Sequence, residues 1–413
     1  MQIMADVGGI PGKNCRGFCE YCYFKNVREA KILGCKHCPP GHIGCPHCST
    51  DTNMTRDYFP AYHVLSTLQM NIFQTEIPRD TIVNITGDGD VSCYPDLLTL
   101  TRGINDMGLP IHLGYTSGKG IDDPNIVDAL VNNGVKETTF TAFSTDPELR
   151  RKWMHDPTPE ASVEALKRFC QTCDVHAASI IIPGVNDGEE LARTCENLES
   201  WGAKALILMR FANNRNQGLI LSEKQVIPGI EEQAIEEFRQ LVIDTSKEYN
   251  LRVTGTPVCD PETDSPYALA HDKNKEYLEI LTPIKAEATI ITGKISARYI
   301  EKIIDNLGAS EHVNVIATEQ EIACLITEED LRNIDLREVK DTVIIPGRCF
   351  VHDMVAEDVF RSDGKFRLIH RGPDLLTVDG EMSGTMTKND VLKHELYAFE
   401  DLIELINYMG VKI

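Results

Sequence analysis

From residue 81 onward, short apolar runs rich in β-branched residues alternate with longer stretches whose apolar residues recur at helical spacing. Strands and helices repeat with different periods, so this alternation predicts strand–helix units built around a parallel sheet. The predicted strands are residues 3–7, 81–86, 110–115, 135–143, 175–182, 203–209 and 251–255. The predicted helices are residues 95–107, 123–133, 162–173, 188–201 and 232–249. The pattern predicts an α/β fold, a partial (β/α) TIM-like barrel with an open side.

A second α/β pattern begins after about residue 284. Its predicted strands are residues 288–292, 313–317, 322–326 and 342–345, and its predicted helices are residues 296–307 and 392–409. The turn-rich stretch 256–266 marks the exit from the barrel. We therefore predict a cysteine-rich loop region at 1–52, the partial barrel at 53–283 and a C-terminal α/β domain at 284–413.

Charge and hydropathy restrict the class of protein. The 413 residues carry a net charge of −22, which argues against a nucleic acid partner because a phosphate backbone calls for a basic surface. The negative charge suits a cationic partner. The alternative is an acidic surface that is simply solvated and has no partner. No apolar run reaches the length of a membrane helix, and no secretory signal is visible. We expect a cytoplasmic protein with no membrane partner.

The most informative motif is the run Asn14-Cys-Arg-Gly-Phe-Cys-Glu-Tyr-Cys, which places cysteines at Cys15, Cys19 and Cys22. A 4Fe–4S cluster held only by cysteine needs four thiolates. Three thiolates leave one iron open for a substrate or cofactor. With Tyr21 before the last cysteine, the run resembles the signature of radical S-adenosylmethionine (SAM) enzymes, which bind SAM at that iron. A zinc knuckle is the alternative, although zinc prefers four ligands and C-x2-C pairs.

A glycine-rich acidic turn follows the predicted strand 81–86 and is a candidate to bind SAM. It consists of Gly87, Asp88, Gly89 and Asp90. Glycines let a backbone approach a ligand closely, and a carboxylate pairs with the SAM ammonium. The turn resembles the Gly-Gly-Glu element of radical SAM enzymes, with the second glycine displaced. An ordinary Gly-Asp turn is the alternative.

Hydroxyl groups at later strand ends are further candidates. Tyr115 ends one predicted strand, Ser117 lies just after it, and Ser144 follows the next strand, so their hydroxyls can reach the SAM ribose. Tyr23 directly follows the last cysteine, and its phenol can approach the open iron when SAM is absent. Packing of Tyr23 at the barrel mouth is the alternative. We take Tyr23 and Tyr115 as the candidate catalytic residues.

The remaining SAM contacts are expected from two arginines and one turn. Either Arg150 or Arg151 can clamp the SAM carboxylate, since a planar guanidinium suits bidentate pairing; a solvated helix face is the alternative. Pro183 begins a Pro-Gly-x-Asn-Asp run at another strand end. This run resembles the turn that backs the adenine in radical SAM enzymes.

A second cysteine group stands directly behind the first, at Cys35, Cys38, Cys45 and Cys48. Two C-x2-C knuckles in tandem indicate one tetrahedral metal, either an iron or a zinc ion. We expect this ion to stiffen a loop beside the SAM cluster. The alternatives are an auxiliary 4Fe–4S cluster and a loop that covers the active site.

Taken together, residues 14–25 and the four-cysteine insertion resemble the methanogenesis marker protein 10 family. The resemblance implies a radical SAM, cobalamin-dependent methyltransferase that acts on the sp3 δ carbon of an arginine in the alpha subunit of methyl-coenzyme M reductase. The substrate would be that subunit or its nascent peptide, and an electron donor would be needed. One SAM would methylate cobalamin, and the other would yield the radical that removes a hydrogen from the arginine.

The resemblance also implies a cobalamin site, although the usual Asp-x-His-x-x-Gly signature is missing. Asp174 and His176 match its first part, but Ser179 replaces the glycine and the run enters a predicted strand. Under the resemblance, the C-terminal domain binds cobalamin without a histidine below cobalt, and Leu325 faces the metal. An ordinary core leucine is the alternative.

Three further positions are expected to line the corrin or its amide arms. They are Gly293, Ser296 and Gly347.

Two rival functions remain open. One is a radical SAM peptide-modifying oxidase with an auxiliary cluster at the four cysteines and no cobalamin. The other is a metal-knuckle module that binds RNA or protein; the acidic charge and the predicted barrel count against it.

Overall fold

The structure is a computed structural model that describes residues 2–25, 42–43, 52–53, 57–74, 78, 81–218, 224–231, 233–377 and 386–413. The four cysteines Cys35, Cys38, Cys45 and Cys48 lie outside the described residues. The iron or zinc ion predicted there therefore stays a prediction.

The strands are, in chain order, β1 (Gln2–Asp6), β2 (His42–Ile43), β3 (Thr52–Asn53), β4 (Ile82–Thr86), β5 (Ile111–Thr116), β6 (Val135–Thr141), β7 (Asp174–Ile181), β8 (Ala205–Arg210), β9 (Arg252–Thr256), β10 (Ala286–Thr292), β11 (Val313–Ala317), β12 (Thr342–Ile345), β13 (Leu368–Arg371) and β14 (Val411–Lys412). The helices are α1 (Ala61–Gln74), α2 (Leu97–Asp106), α3 (Ile126–Asn132), α4 (Pro147–Leu149), α5 (Pro159–Thr172), α6 (Gly188–Trp201), α7 (Ile235–Glu248), α8 (Lys294–Asn306), α9 (Glu328–Arg332), α10 (Asp353–Phe360) and α11 (Lys388–Met409). A π-helical turn, Arg150–Met154, continues α4.

Seven strands form the larger sheet, in the order β1-β4-β5-β6-β7-β8-β9. Ile3 of β1 pairs in parallel with Val83 of β4, which pairs in parallel with Ile111 of β5. Helices separate most successive strands, as a parallel sheet requires. The predicted α/β fold with a partial TIM-like barrel is confirmed. In such a sheet the carboxyl ends of the strands share one edge, and that edge carries the candidate site.

Helical spacing of apolar residues explains how the helices cover this sheet. In α2 the buried residues Leu97, Leu100 and Ile104 recur three and four positions apart and lie on one face. In β4 the buried Val83 and Ile85 alternate with half-buried residues. Burial of these apolar side chains is the main stabilising contribution to the fold.

The chain divides into two compact units. The first contains residues up to Lys25, Asn53–Phe211 and Val226–Thr254, and the second includes Ala212–Gln225 and Gly255–Ile413. In the second unit, a smaller sheet has the order β11-β10-β12-β13 with parallel pairs, and β14 pairs antiparallel with β10.

Residues 255–283, which the sequence analysis assigned to the barrel, group with the second unit. The backbone N–H groups of Ala268 and Leu269 donate to the two carboxylate oxygens of Glu395, each at 2.9 Å. The Tyr267 hydroxyl donates to the Leu376 carbonyl at 2.6 Å. These buried contacts attach the segment to α11 and its neighbourhood.

The strand predicted at 322–326 is wrong. The chain forms a 3-10 turn at Ala323–Leu325 instead. The first N–H groups of α8, from Lys294 and Ile295, donate to the carbonyls of Gln320 and Glu321. The carbonyl groups just before the turn therefore accept hydrogen bonds from the N-terminus of α8 rather than from a neighbouring strand.

The sequence patterns also missed α1, α9, α10 and β13. None of the described helices is both long enough and apolar enough to cross a bilayer.

Candidate functional site

A tight loop after β1 carries the three cysteines. The Ile10 N–H donates to Asn14 Oδ1 at 2.7 Å, and the Asn14 N–H donates to the Ile10 carbonyl at 2.8 Å. Gly12 has a φ of 79°, and a Cβ there would lie 2.4 Å from the Phe18 ring. Only glycine fits this position without moving Phe18. Local hydrogen bonds and close packing therefore fix the path of the chain into the motif.

The three thiols of this loop lie within electrostatic reach of one another. All three are free and half-buried. Burial, together with the neighbouring Cys19 and Cys15, raises the pKa of Cys22 to about 12. Burial also raises the pKa of Cys15 and of Cys19, with Asp90 adding to the rise at Cys15. These pKa directions belong to the thiols without metal, since a bound metal deprotonates its thiol ligands.

This donor set fits an iron–sulfur cluster. Soft thiolates are the ligands such clusters take. No described group of three or more His, Cys, Asp and Glu side chains is arranged around a single ion. A structural zinc site takes four ligands, and this loop supplies three thiolates. The donor set therefore suits a cluster with one open iron better than a closed zinc site.

An aromatic pair supports the loop from the sheet. The ring of Tyr21 stacks on that of Phe143, with centroids 5.0 Å apart and planes 21° apart. Phe143 follows β6, is 1% exposed and has a φ of 58°. Burial, and then the neighbouring Cys19, raise the pKa of Tyr21 well above its usual value. Tyr21 is thus a neutral packing residue at the cysteine loop.

The glycine-rich acidic turn lies against the same loop. A Cβ on Gly87 would lie 2.4 Å from the Gly8 carbonyl oxygen, and one on Gly89 would lie 2.8 Å from Asn14 Cβ. The glycines at both positions are therefore needed for close packing of the two segments. Asp88 is exposed at the tip of the turn.

Asp90 organises this end of the sheet from a buried position. Its carboxylate accepts from the Ser92 N–H at 2.9 Å and the Ser92 hydroxyl at 2.7 Å. It also accepts from the Thr116 hydroxyl at 3.3 Å, the Ser117 N–H at 3.2 Å and the Ser117 hydroxyl. Asp90 is thus hydrogen-bonded to Ser117, although the two residues were predicted to contact different parts of SAM.

The other hydroxyl-bearing candidates, Ser144, Tyr23 and Tyr115, differ in their burial. Ser144 is fully buried, donates to Glu190 at 2.7 Å and accepts from the Asp146 N–H at 2.8 Å. Tyr23 and Tyr115 are 48% and 41% exposed, respectively. Ser144 therefore supports the chain after β6, whereas the two tyrosines present their rings to solvent.

The two arginines are engaged within the protein. Arg150 and Asp156 form an ion pair at 2.8 Å in which both side chains are fully buried. Arg150 also donates to the carbonyls of Ala142, at 2.6 Å, and Ser117. Arg151 is exposed and pairs with Glu148 and Glu160. The π-helical turn points Arg150 inward, where its guanidinium joins strand ends together. Binding of the SAM carboxylate by either arginine stays a prediction.

The predicted adenine turn forms at the end of β7. The Ile182 N–H donates to Asn186 Oδ1 at 2.8 Å, and Asn186 Nδ2 donates to the Phe143 carbonyl at 2.9 Å. Pro183 lies inside this turn, and Gly184 has a φ of 74°. The turn is therefore linked to the aromatic support of the cysteine loop.

The residues predicted to contact cobalamin follow the carboxyl ends of β10, β11 and β12 in the second unit. Gly293 and Gly347 are buried, and a Cβ would lie 2.6 Å from the Glu321 carbonyl oxygen and 2.4 Å from the Gly372 carbonyl oxygen, respectively. Both glycines thus allow close backbone packing. Leu325 is half-buried, and Ser296 is fully buried with a hydroxyl that has no partner among the described residues.

Two residues of the site were missed by the sequence analysis. The Tyr58 hydroxyl lies 2.7 Å from the Asn14 carbonyl oxygen and 2.6 Å from that of Asp90, and so joins the cysteine loop to the acidic turn. The Lys119 ammonium donates to the Gly17 carbonyl at 2.8 Å. Lys119 stands between two glycines just after a predicted strand, which is a signal that could have identified it.

Comparison with known proteins gives one family match. Residues 127–205 match the family described as a Radical SAM-like domain. No curated protein matches this chain.

Several solved structures are similar. SuiB from Streptococcus suis is 12% identical with a TM-score of 0.41, and the match covers 62% of this chain and 49%, about half, of SuiB. A radical SAM methyltransferase from Sphaerobacter thermophilus is 14% identical with a TM-score of 0.36, over 52% of this chain and 62% of that one. The radical SAM methyltransferase TsrM from Kitasatospora setae, with cobalamin and a 4Fe–4S cluster bound, is 12% identical with a TM-score of 0.31, over 43% of this chain and 34% of TsrM.

The matched residues 127–205 run from α3 to the start of β8, within the parallel sheet of seven strands.

Proposed function

We propose that this protein is a radical SAM enzyme that methylates an sp3 carbon, the δ carbon of an arginine in the alpha subunit of methyl-coenzyme M reductase, with cobalamin as a second cofactor. The observation that carries the proposal is the group of three free thiols on one short loop at the end of β1. The Radical SAM-like domain match supports the same class of chemistry.

Within this proposal, Cys15, Cys19 and Cys22 hold a 4Fe–4S cluster and leave one iron open to SAM. When bound, the cluster and SAM supply a radical that removes a hydrogen atom, and cobalamin supplies the methyl group. The chain's own contribution is orientation. Tyr21 packed on Phe143 and the Asp90 network hold the loop and the strand ends in one arrangement.

Cobalamin binding by the second unit is supported by buried polar atoms that lack partners. Ser296 Oγ, Thr318 Oγ1 and Gln320 Oε1 are buried without a hydrogen-bond partner among the described residues. They follow the carboxyl ends of β10 and β11, the edge at which parallel α/β sheets bind ligands. A corrin ring carries many amide arms, and such arms suit unpaired hydroxyl and amide groups. Leu325, in the nearby 3-10 turn, would face the metal.

An arginine substrate is supported by the net charge of −22, which attracts a cationic side chain. The substrate subunit, or its nascent peptide, and an electron donor are the partners that the proposal requires.

Mass spectrometry tests the proposal. The chain is reconstituted anaerobically with iron, sulfide and cobalamin, then supplied with SAM, a low-potential reductant and an arginine-containing peptide of the substrate subunit. We expect a gain of one methyl group on the arginine. Cys19→Ser should abolish the product, whereas Cys173→Ser, a half-buried thiol outside the motif, should not.

A peptide that gains no methyl group from the fully loaded chain would contradict the proposal. Metal content separates it from the rival oxidase. We expect about four irons with one further metal and bound cobalamin, whereas about eight irons without cobalt would indicate the oxidase.

A further inference from the structure

Lys119 is a buried cation beside the cysteine loop. It follows β5, is 1% exposed, and its ammonium donates to the carbonyl of Gly17 at 2.8 Å. Gly17 lies between Cys15 and Cys19 in the motif. The side chain therefore reaches from the sheet into the middle of the three-cysteine loop.

The backbone around Lys119 fixes this direction. Gly118 has a φ of 77°, and a Cβ on Gly120 would lie 1.9 Å from the carbonyl oxygen of Ser92. The Gly120 N–H donates to the Ser92 hydroxyl at 3.0 Å. Gly120 thus allows this turn to pack against the Ser92 segment, Gly118 allows it to pack against Phe140, and Lys119 points inward between the two glycines.

Burial of an ammonium is costly unless an opposite charge compensates it. Neighbouring cations have such partners: Arg150 pairs with Asp156, and Arg16 pairs with Asp122 at 2.5 and 2.9 Å. Within the described part of the chain, no carboxylate forms an ion pair with Lys119. Its positive charge is therefore available to another anionic group.

Two cysteines of the loop, Cys15 and Cys19, lie within electrostatic reach of Lys119. Burial raises the pKa of Cys19, and the Lys119 ammonium is the largest influence that lowers it. Lys119 also lowers the pKa of Cys15, where burial and the Asp90 carboxylate act in the opposite direction. Lys119 and Asp90 therefore act on the thiols of this loop with opposite sign.

We propose that Lys119 is a positioning residue whose buried charge, which forms no ion pair within the described residues, raises the reduction potential of the cluster held by Cys15, Cys19 and Cys22. This inference rests on the proposed function, since it requires the cluster. Reduction transfers one electron from an external reductant and adds one negative charge to the thiolate-bound cluster. A nearby cation in a low-dielectric site stabilises the more negative, reduced form.

The test is the midpoint potential of the cluster in the full, anaerobically reconstituted chain. It is measured by titration with dithionite and redox mediators and followed by electron paramagnetic resonance. Lys119→Met and Lys119→Gln should both shift the midpoint potential to more negative values, and Lys119→Arg should stay near the wild-type value. Arg16→Gln, in the same loop, should leave the potential unchanged because Arg16 and Asp122 are exposed and water screens the change in charge.

The two neutral variants guard against a folding defect, since glutamine retains a donor for the Gly17 carbonyl. An unchanged potential in a neutral variant that binds the cluster would overturn the role of Lys119 alone. A wild-type chain that binds no iron–sulfur cluster would overturn the proposed function and this inference together. A shift in Arg16→Gln as large as that in Lys119→Gln would also overturn the inference. Any cation near the loop would then affect the potential equally, and Lys119 would have no particular role.

Discussion

The ring of Tyr21 lies on the ring of Phe143, with 5.0 Å between centroids and 21° between planes. One ring belongs to the cysteine loop and the other to the segment after β6. Phe143 is also held by Asn186, which donates to its carbonyl at 2.9 Å. This stack therefore connects the candidate cluster loop to the strand ends on which the proposed SAM contacts depend.

Removal of the Phe143 ring should loosen this connection. Phe143→Ala leaves a cavity at a 1% exposed position and should lower the free energy of unfolding by about 3 to 5 kcal/mol. It should also reduce the iron bound after reconstitution. Phe73→Ala, at a 92% exposed ring in α1, is the matched control and should change neither value appreciably. Full iron content in Phe143→Ala would contradict the supporting role.

The neighbouring arginines should respond very differently to substitution. Arg150→Met leaves the Asp156 carboxylate buried without its partner and should cost about 3 to 5 kcal/mol in the free energy of unfolding. Arg151→Gln breaks only exposed ion pairs and should cost less than about 1 kcal/mol. Chemical denaturation measures both. If Arg151→Gln weakened SAM binding strongly at unchanged stability, Arg151 would be the carboxylate clamp after all.

Glu395 should make the stability of the second unit depend on pH. Burial raises its pKa from 4.5 to about 7 in the folded chain. Below pH 4.5 the carboxyl is protonated in both states. As the pH rises from 4.5 to 7, the unfolded chain loses its proton before the folded chain does, so the free energy of unfolding falls, by at most about 3 kcal/mol, and then stays level above pH 7.

Urea unfolding at pH 5 and pH 8 checks this expectation. Glu395→Gln should remove much of the fall between the two values, because the amide does not titrate. Glu404→Gln, at an exposed position of the same helix, should leave the fall in place. Identical pH dependence in the wild type and in Glu395→Gln would refute the assignment.

The hydroxyl of Ser296 distinguishes a cobalamin contact from a packing residue. It is buried and has no partner among the described residues, so Ser296→Ala should not lower the stability of the chain without cofactor. If the hydroxyl meets a corrin amide, the substitution should weaken cobalamin binding by about fivefold, which corresponds to about 1 kcal/mol. Absorbance titration measures the affinity, and the exposed Ser310→Ala is the control. Equal affinities would remove Ser296 from the site.

Local signals in the sequence predicted much of the fold. Helix α6 was predicted at its observed bounds, Gly188–Trp201. In the structure Asp187 precedes this helix, and Gly202, with a φ of 95°, ends it. The strands Val313–Ala317 and Thr342–Ile345 were also predicted at their observed bounds. These elements could be predicted because the spacing of their apolar residues, and the residues that begin and end them, depend only on near neighbours in the chain.

Contacts between distant segments explain what was missed. The burial of Lys119 depends on Ser92 and Gly17, which lie far from it in sequence. A motif also does not reveal that a π-helical turn directs Arg150 to the buried Asp156. Three cysteines in one short run could be identified from sequence alone, because their spacing is itself the signal.

The central claim is that one iron of the cluster at Cys15, Cys19 and Cys22 is open to SAM. Electron paramagnetic resonance of the reduced, reconstituted chain, recorded with and without SAM, tests it most directly. The account predicts that SAM changes the spectrum of the wild-type cluster, because SAM becomes a ligand of the open iron. A spectrum that SAM leaves unchanged, in a chain that binds about four irons, would contradict it.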